Sequence, residues 1–472
     1  MAKLHSNADY DTGDTAFLLI STMLVFFMIP GLALLYSGLT RRKSALSVIW
    51  LCLVCGSIAI CQWWFWGYSL ALSTTATNKF IGNLHNFALR NAMGGELGET
   101  YPEILFAGYQ GMFCALTCAI LMGGIAERAR LWPAALFTFI WTTLVYCPLA
   151  CWTWGPNGWG TTWGVLDYAG GVPVEIGSGV GGISLAFVVG RRREKLLINF
   201  RPHNVSMVAL GTSMLWFGWL GFNGGSAFGA NLRAAYAIWN TNITAAFAAF
   251  SWSVLDYRLE RKWSMVAVCS GAVSGLVAAT PASGNIPMWA SVILGVVAGI
   301  CCNLSTGIKY LINVDDSLDT FAEHGMAGII GLLANGVFAA DWVIGLDGST
   351  EHDGGWVTRN WKQMYIQVAF LAAAAGYTCV VTILIGFVIN YIPGCKWKVT
   401  EEQEQEGIDA SQVGEFAYDY VEIRRDYWNA LPEVVDAQIN EAETTPHSKQ
   451  TSAQPLESPG VSSNSAEKTQ VA

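Results

Sequence analysis

Two side chains able to do proton chemistry stand in stretches that otherwise read as hydrocarbon-facing. Glu175 lies in one long apolar run and His324 in another, and His324 is the only one of the six histidines so placed. An ionisable group inside a membrane span costs several kcal/mol, so its default reading is functional: ion passage, proton relay or ligand capture. Imidazole changes charge near neutral pH and can exchange a proton with a carboxylate beside it. The structural alternative for His324 is a core histidine satisfied by a backbone carbonyl. Near the two lie Asp167-Tyr168-Ala169-Gly170-Gly171 and Asp315-Asp316-Ser317-Leu318-Asp319. Asp167 precedes a run of small residues, an N-cap position where a carboxylate accepts backbone N–H groups. Its charge would secondarily favour a nearby cation. Asp315, Asp316 and Asp319 also read as caps and turn residues, not as a metal site. Glu323 adjoins His324 and so points about 100° away around a helix. It reads as an inter-helix or cytoplasmic-side partner, not as a pore-lining group.

The elements that must position these residues are membrane spans. Of the 472 residues, 53% are hydrophobic and 13% charged, against about 25% charged in soluble proteins. The composition predicts an all-α polytopic membrane protein. A span needs about 20 apolar residues, and on that measure there are about eleven, at 15–39, 44–71, 104–126, 131–152, 169–190, 204–222, 232–255, 264–280, 286–307, 318–340 and 363–392. A count of ten or twelve stays open. Basic residues cluster after the odd-numbered spans, as in Arg41-Arg42-Lys43, Arg128 and Arg130, Arg191-Arg192-Arg193, Arg258 with Arg261, and Lys309. Cytoplasmic loops carry such excess charge, so residues 1–14 are expected outside and the chain beyond 392 in the cytoplasm. The fifth and tenth spans each begin with an aspartate, Asp167 and Asp319, followed by Glu175 or His324 and then small residues. That pattern suggests an inverted repeat of spans 1–5 and 6–10 around a midplane site, with an eleventh helix outside it. Gly177, Gly179, Gly181 and Gly182, and Gly325, Gly328 and Gly331, follow the two polar residues. Small residues let helix backbones approach closely, so the polar pair faces the bundle interior.

Other features read as structural. Of the twelve cysteines, Cys395 falls on the cytoplasmic side and the rest within spans, so they read as small apolar residues. Trp152, Trp154, Trp159 and Trp163 read as an interfacial aromatic belt. The N-x-S/T sequences at Asn204, Asn242 and Asn303 fall in cytoplasmic or membrane positions and are poor glycan sites. Residues 393–439 form a charged cytoplasmic region with a short helix expected at Glu415–Trp428. Residues 440–472 are rich in Ser and Thr and expected to be disordered. Phosphate on Ser452, Ser458, Ser462, Ser463 or Ser465 by a kinase would change how the tail docks; an inert tail is the alternative. No Ser-His-Asp, Walker or metal-cluster arrangement occurs, so an enzyme, a cofactor, a metal site and a nucleic-acid partner are not expected.

Several motifs converge in one order: WTWGPNGW and LDYAGG, WFGWLGFNGGSA, DDSLDTFAEHG, and EGIDASQVGEFAY. Together they resemble the ammonium transporter (Amt/Mep/Rh) family over residues 15–430, in its fungal ammonium permease branch. The resemblance implies a plasma-membrane homotrimer with one hydrophobic pore per subunit. Carried over by motif, Phe113, Trp154 and Ser226 would recruit ammonium outside, with Asp167 just below. Phe113 and Phe222 would form a stacked gate, Tyr109 would line the vestibule, and Trp219 would line the pore with Glu175 and His324. The family usually has two histidines in the pore, so Glu175 is a departure shared by a subset of fungal members. The chemistry suits ammonium, with methylammonium as analogue. A small cation over aromatic faces gains about 0.5–2 kcal/mol. A narrow apolar pore then rejects any ion that cannot shed its charge as a proton. A Glu–His pair can exist as an ion pair or as two neutral groups, and the sequence leaves both open. Two other functions stay open: an ammonium sensor signalling nitrogen status, and a neutral ammonia or gas channel.

Overall fold

The computed structural model describes residues 10–92, 100–198 and 200–418. Helices dominate: α1 Thr12–Leu39, α2 Ala45–Gln62, α3 Glu103–Leu121, α4 Leu131–Trp141, α5 Gly177–Val189, α6 Val205–Gly225, α7 Leu232–Glu260, α8 Met265–Ala279, α9 Met288–Ser305, α10 Ala327–Phe338, α11 Lys362–Tyr391 and the short α12 Glu401–Glu406. Each apolar stretch predicted from sequence falls on one of the first eleven. Nine helical stretches among the described residues are long and apolar enough to cross a membrane. Met265–Ala279 is apolar but shorter, and α7, interrupted by Asn240, Thr241, Asn242 and Thr244, is not among the nine.

Small residues decide which helices touch. Cβ atoms built on Gly211 and Gly218 of α6 would meet Leu35 N at 2.4 Å and Leu24 O at 2.7 Å on α1, so these two helices pack backbone to backbone. Gly271 and Gly275 do the same for α8 against α7. Apolar association alone gives little orientation in lipid, and close small-residue contacts supply it.

Four helices widen into a π-turn, at Trp63–Gly67 after α2, Thr142–Tyr146 after α4, Gly171–Ile176 before α5 and Phe321–Met326 before α10. The last two hold Glu175 and His324. Such turns recur at functional sites, and no sequence period announces them.

The two π-turns share a capping pattern, but the aspartate that matches Asp167 is not the Asp319 that the sequence suggests. Asp167 accepts the N–H groups of Gly170, Gly171 and Val172. Its counterpart is Asp316, whose Oδ2 accepts the N–H of Phe321 at 2.8 Å. Asp167 and Asp316 each stand eight residues before the polar residue of their π-turn. Asp319 instead pairs with Lys309 at 2.7 Å.

One set of helix ends is tied by buried charges. Glu127 Oε1 accepts the backbone N–H and Nε of Arg41, while its Oε2 pairs with Arg192. Arg192 also holds Asp315 at 2.8 Å. Burial alone would raise the Glu127 and Asp315 carboxyls, but Arg192 and its neighbours hold both below their ordinary range. Arg128, fully buried, donates to the carbonyls of Gly124, Ala126, Gly190 and Asp315 and to Ser317 Oγ.

The segment after α11 packs back under this layer. Ala129 and Lys398 form an antiparallel bridge. Asp409 accepts the N–H groups of Leu46 and Ser47 at 3.0 and 2.7 Å, capping α2 from a segment remote in sequence. Residues 415–418 are not helical. The remainder of the helix expected at Glu415–Trp428, and the serines of the tail, lie outside the described residues.

Candidate functional site

Glu175 and His324 meet. His324 Nδ1 and Glu175 Oε2 are 2.8 Å apart, and the side chains are 1% and 0% exposed. The contact depends on glycine. A Cβ on Gly179 would lie 2.1 Å from Gly325 N, and one on Gly328 would lie 2.9 Å from the Glu175 Cβ. Without side chains there, the two π-turns and α5 and α10 approach closely enough for the acid and the imidazole to touch. Glu175 Oε1 and His324 Nε2 are buried and have no hydrogen-bond partner among the described residues. Burial of a polar atom without a partner costs about 1–3 kcal/mol, and unsatisfied groups in a native core call for a functional explanation. With Nδ1 donating to the carboxylate, Nε2 of a neutral imidazole is an open lone pair able to accept a proton.

An aromatic group adjoins Asp167. Phe113 and Phe222 stack with centroids 3.9 Å apart and planes 17° from parallel. Trp154 meets the Phe113 ring edge-on at 6.2 Å, and its Nε1 donates to the Asp167 carbonyl at 3.2 Å. Tyr109 packs on Phe113 at 4.8 Å, and its hydroxyl donates to the Phe222 carbonyl at 2.6 Å. Ser226 Oγ lies 3.3 Å from the Tyr109 hydroxyl and donates to the Phe222 carbonyl. Trp219 adjoins the stack, its ring 5.5 Å from Phe222 and its Nε1 donating to Thr280 at 2.9 Å. Phe113, Phe222, Trp154, Tyr109, Ser226 and Trp219 therefore form one cluster, joined to Asp167 through Trp154. Asp167 spends both carboxylate oxygens on backbone N–H groups, the capping role expected of it.

Likeness to known proteins decides which family this arrangement of stacked rings, capped half-helix and buried acid–imidazole pair belongs to. The sequence profile of the Ammonium Transporter Family matches residues 16–418. This chain belongs to that family. It is 56% identical over 421 residues to ammonium transporter MEP3 of Saccharomyces cerevisiae, covering 89% of this chain and 86% of that protein. Ammonium transporter 2 of Schizosaccharomyces pombe is 46% identical over 442 residues, 92% of this chain and 86% of that one. The crystal structure of Saccharomyces cerevisiae Mep2 superposes with a TM-score of 0.80 at 45% identity, over 84% of this chain and 92% of that chain. The protein is thus a multi-pass membrane protein of a transporter family and not an enzyme.

Sequence reasoning missed other parts of the environment. Trp152 is no belt residue: it is buried, its Nε1 donates to the Phe80 carbonyl at 2.8 Å, and its ring packs on Tyr377 and Trp159. Trp159 packs on Phe370. Arg233 is buried beside Tyr168, pairs with Asp347 at 2.7 Å, and fastens the 341–361 loop to the start of α7. Its only sequence signal was a lone arginine at a helix start.

Proposed function

We propose that this protein takes up ammonium across the plasma membrane, capturing the cation at an outer aromatic site and deprotonating it for passage past Glu175 and His324. The observation that carries this reading is the buried 2.8 Å Glu175–His324 contact with an open nitrogen, Nε2, facing away from it. The relatives, ammonium transporters of two yeasts, agree with it.

The steps follow from the residues. Ammonium settles against the faces of Phe113 and Trp154, and Ser226 accepts one of its N–H bonds, which potassium has no means to donate. The carboxylate of Asp167 caps its helix and places negative charge beneath the cation. The Phe113–Phe222 stack closes the way onward, and its rotation admits the substrate. Below the rings the surroundings are apolar, so the ion gives up a proton to His324 Nε2 while ammonia moves on as a neutral molecule. Glu175, hydrogen-bonded at Nδ1, compensates the imidazolium as it forms, and His324 returns that proton to water before the next ammonium arrives. Sodium and potassium cannot give up their charge in this way.

The same reading includes eleven spans, an outer N-terminus, a cytoplasmic C-terminus and a homotrimer with one pore per subunit. Its test is flux and current with the purified protein in proteoliposomes, with ammonium, methylammonium and potassium compared across pH. Glu175→His is expected to keep ammonium transport but change its rate, apparent affinity and pH profile. An unchanged profile with unchanged kinetics would remove Glu175 from the pore, and no ammonium-dependent flux in the parent protein would overturn the function. A second reading, sensing of nitrogen status, is favoured by the docking of 395–413 against the cytoplasmic helix ends. The solved structure of a sensor Amt protein superposes with a TM-score of 0.77 at 25% identity. A transport-dead Asp167 variant that still signals would separate the two roles.

A further inference from the structure

We propose that Gln367 of α11 and Asn335 of α10 are positioning residues for the capture site: together they hold the backbone of Leu166, and through it set where Asp167 and the Trp154 ring stand against the cation. The inference rests on the transport reading above and adds to it what fixes the strength of capture.

The chain from Gly164 to Gly170 is not helical, so its N–H and C=O groups need partners from elsewhere, and lipid supplies none. Leu166 finds its partners on side chains. Its N–H donates to Gln367 Oε1 at 3.1 Å. Its carbonyl accepts from Gln367 Nε2 at 2.7 Å and from Asn335 Nδ2 at 2.9 Å. Gln367 Nε2 also donates to the Leu332 carbonyl, and Asn335 Nδ2 to the Pro281 carbonyl at 2.7 Å. Two further amides complete the frame. Asn285 Nδ2 donates to Asn335 Oδ1, and Gln363 Nε2 donates to Gln367 Oε1 and to the Gly164 carbonyl. All four amide side chains are buried. Both polar ends of Gln367 and of Asn335 are engaged, and a buried network satisfied in this way specifies one arrangement.

What the frame holds is the capture site. Asp167 follows Leu166 directly, and its carbonyl accepts the Trp154 Nε1–H. The Trp154 ring also lies against Gly170, where a Cβ would stand 3.0 Å from Cη2. The Pro281 carbonyl that Asn335 reaches accepts the Tyr168 N–H as well, and the adjoining Thr280 accepts Trp219 Nε1. Gln367 and Asn335 thus connect two helices to the rings that take the cation, without touching it themselves. Apolar side chains would fill the same space but leave the Leu166 N–H and C=O short of partners in a buried place, a costly state that the segment relieves by shifting. Attraction of a cation to a ring depends on the ring's placement, so capture weakens as Trp154 and Asp167 move.

The test is concentration-dependent uptake of labelled methylammonium in a host lacking its own ammonium transporters, with protein at the membrane quantified. Gln367→Met, of similar length, and Asn335→Leu, on the other helix, are each expected to raise half-saturation about tenfold, the factor that one lost hydrogen bond commands. Maximal uptake per molecule should stay within twofold. Gln62→Met is the control: it removes a buried amide of α2 that bonds Thr143 instead, and both parameters should stay within twofold of the parent. Trp154→Phe keeps a ring but loses the N–H to Asp167. In that background Gln367→Met should weaken half-saturation by less than threefold, because the ring that the frame positions is already released. If Gln367→Met does not reach the membrane, Gln363→Met carries the same expectation at about threefold. Half-saturation within twofold of the parent in both Gln367→Met and Asn335→Leu would overturn the positioning role and leave the transport reading standing. So would an equal rise in Gln62→Met, a loss confined to maximal uptake, or penalties that multiply in full with Trp154→Phe. Absence of methylammonium uptake by the parent would overturn both readings.

Discussion

A methyl group at position 179 tests whether backbone contact sets the acid–imidazole geometry. In Gly179→Ala the new Cβ would lie 2.1 Å from Gly325 N and 2.4 Å from Gly325 Cα. Backbone atoms of a helix cannot rotate away as a side chain end would. Ordinary contact begins near 3.4 Å, so the two segments must part by roughly 1.3 Å or distort by as much. The 2.8 Å Glu175–His324 contact would then open to roughly 4 Å, too long for a hydrogen bond. Over-packing costs about 1–3 kcal/mol in stability, and misplacing a reacting group by about 1 Å costs on the order of 10²-fold in rate. The assay is labelled methylammonium uptake in a host lacking its own ammonium transporters, paired with thermal unfolding of the purified protein. Gly108→Ala is the control, because a Cβ there meets nothing within 4 Å. Uptake should fall by about 10²-fold in Gly179→Ala and stay near the parent level in the control. If the two variants transport alike, close approach at Gly179 does not set the pair's geometry.

Three further outcomes are expected. Phe222→Ala removes one ring of the 3.9 Å stack; faster methylammonium entry with weaker discrimination against potassium should show in competition flux assays. Asp409→Ala exposes the N–H groups of Leu46 and Ser47 and should cost about 1 kcal/mol. Limited proteolysis should then cut the 395–413 segment faster, and equal cutting rates would deny that the cap holds it. The Asp315 carboxyl, buried but held low by Arg192, stabilises the fold above the ordinary carboxylate pKa of about 3.9 and loses that effect as pH falls below it. Melting temperature in detergent should therefore decline between about pH 5 and pH 3, and Asp315→Asn should flatten that decline.

Much of this was legible from residue types alone. Glu175 and His324 stood out because charge in an apolar run is expensive, and the glycines after them marked where helices meet. Phe113, Trp154, Phe222 and Ser226 came from motif order, and no periodicity would have joined residues so far apart in the chain. The aspartate that caps the second π-turn as Asp167 caps the first was visible as an equal spacing of eight residues, but the aspartate nearest the apolar run masked it. The Glu127–Arg192–Asp315 ties and the Asp409 cap join segments remote in sequence, and a linear reading of charge saw only cytoplasmic loops. Trp152 was misread because aromatic residues near a span end look alike whether they face lipid or neighbouring helices.

The π-turns at Gly171–Ile176 and Phe321–Met326 have a consequence for how this chain tolerates change in length. Each holds one residue more than an α-helical turn would. Deleting a single residue inside either turn would let an ordinary helix form in its place. The flanking chain would keep its facing, since both kinds of turn close one revolution, but the residues within the turn would be re-spaced from about 80° to about 100° each around the axis. The capping aspartate and the polar residue eight positions later would lose their relation. Substitutions of similar size can be absorbed at these turns, whereas gaps and insertions cannot. Among family members aligned over these stretches, a length difference inside either turn would therefore mark a changed pore more reliably than a changed side chain.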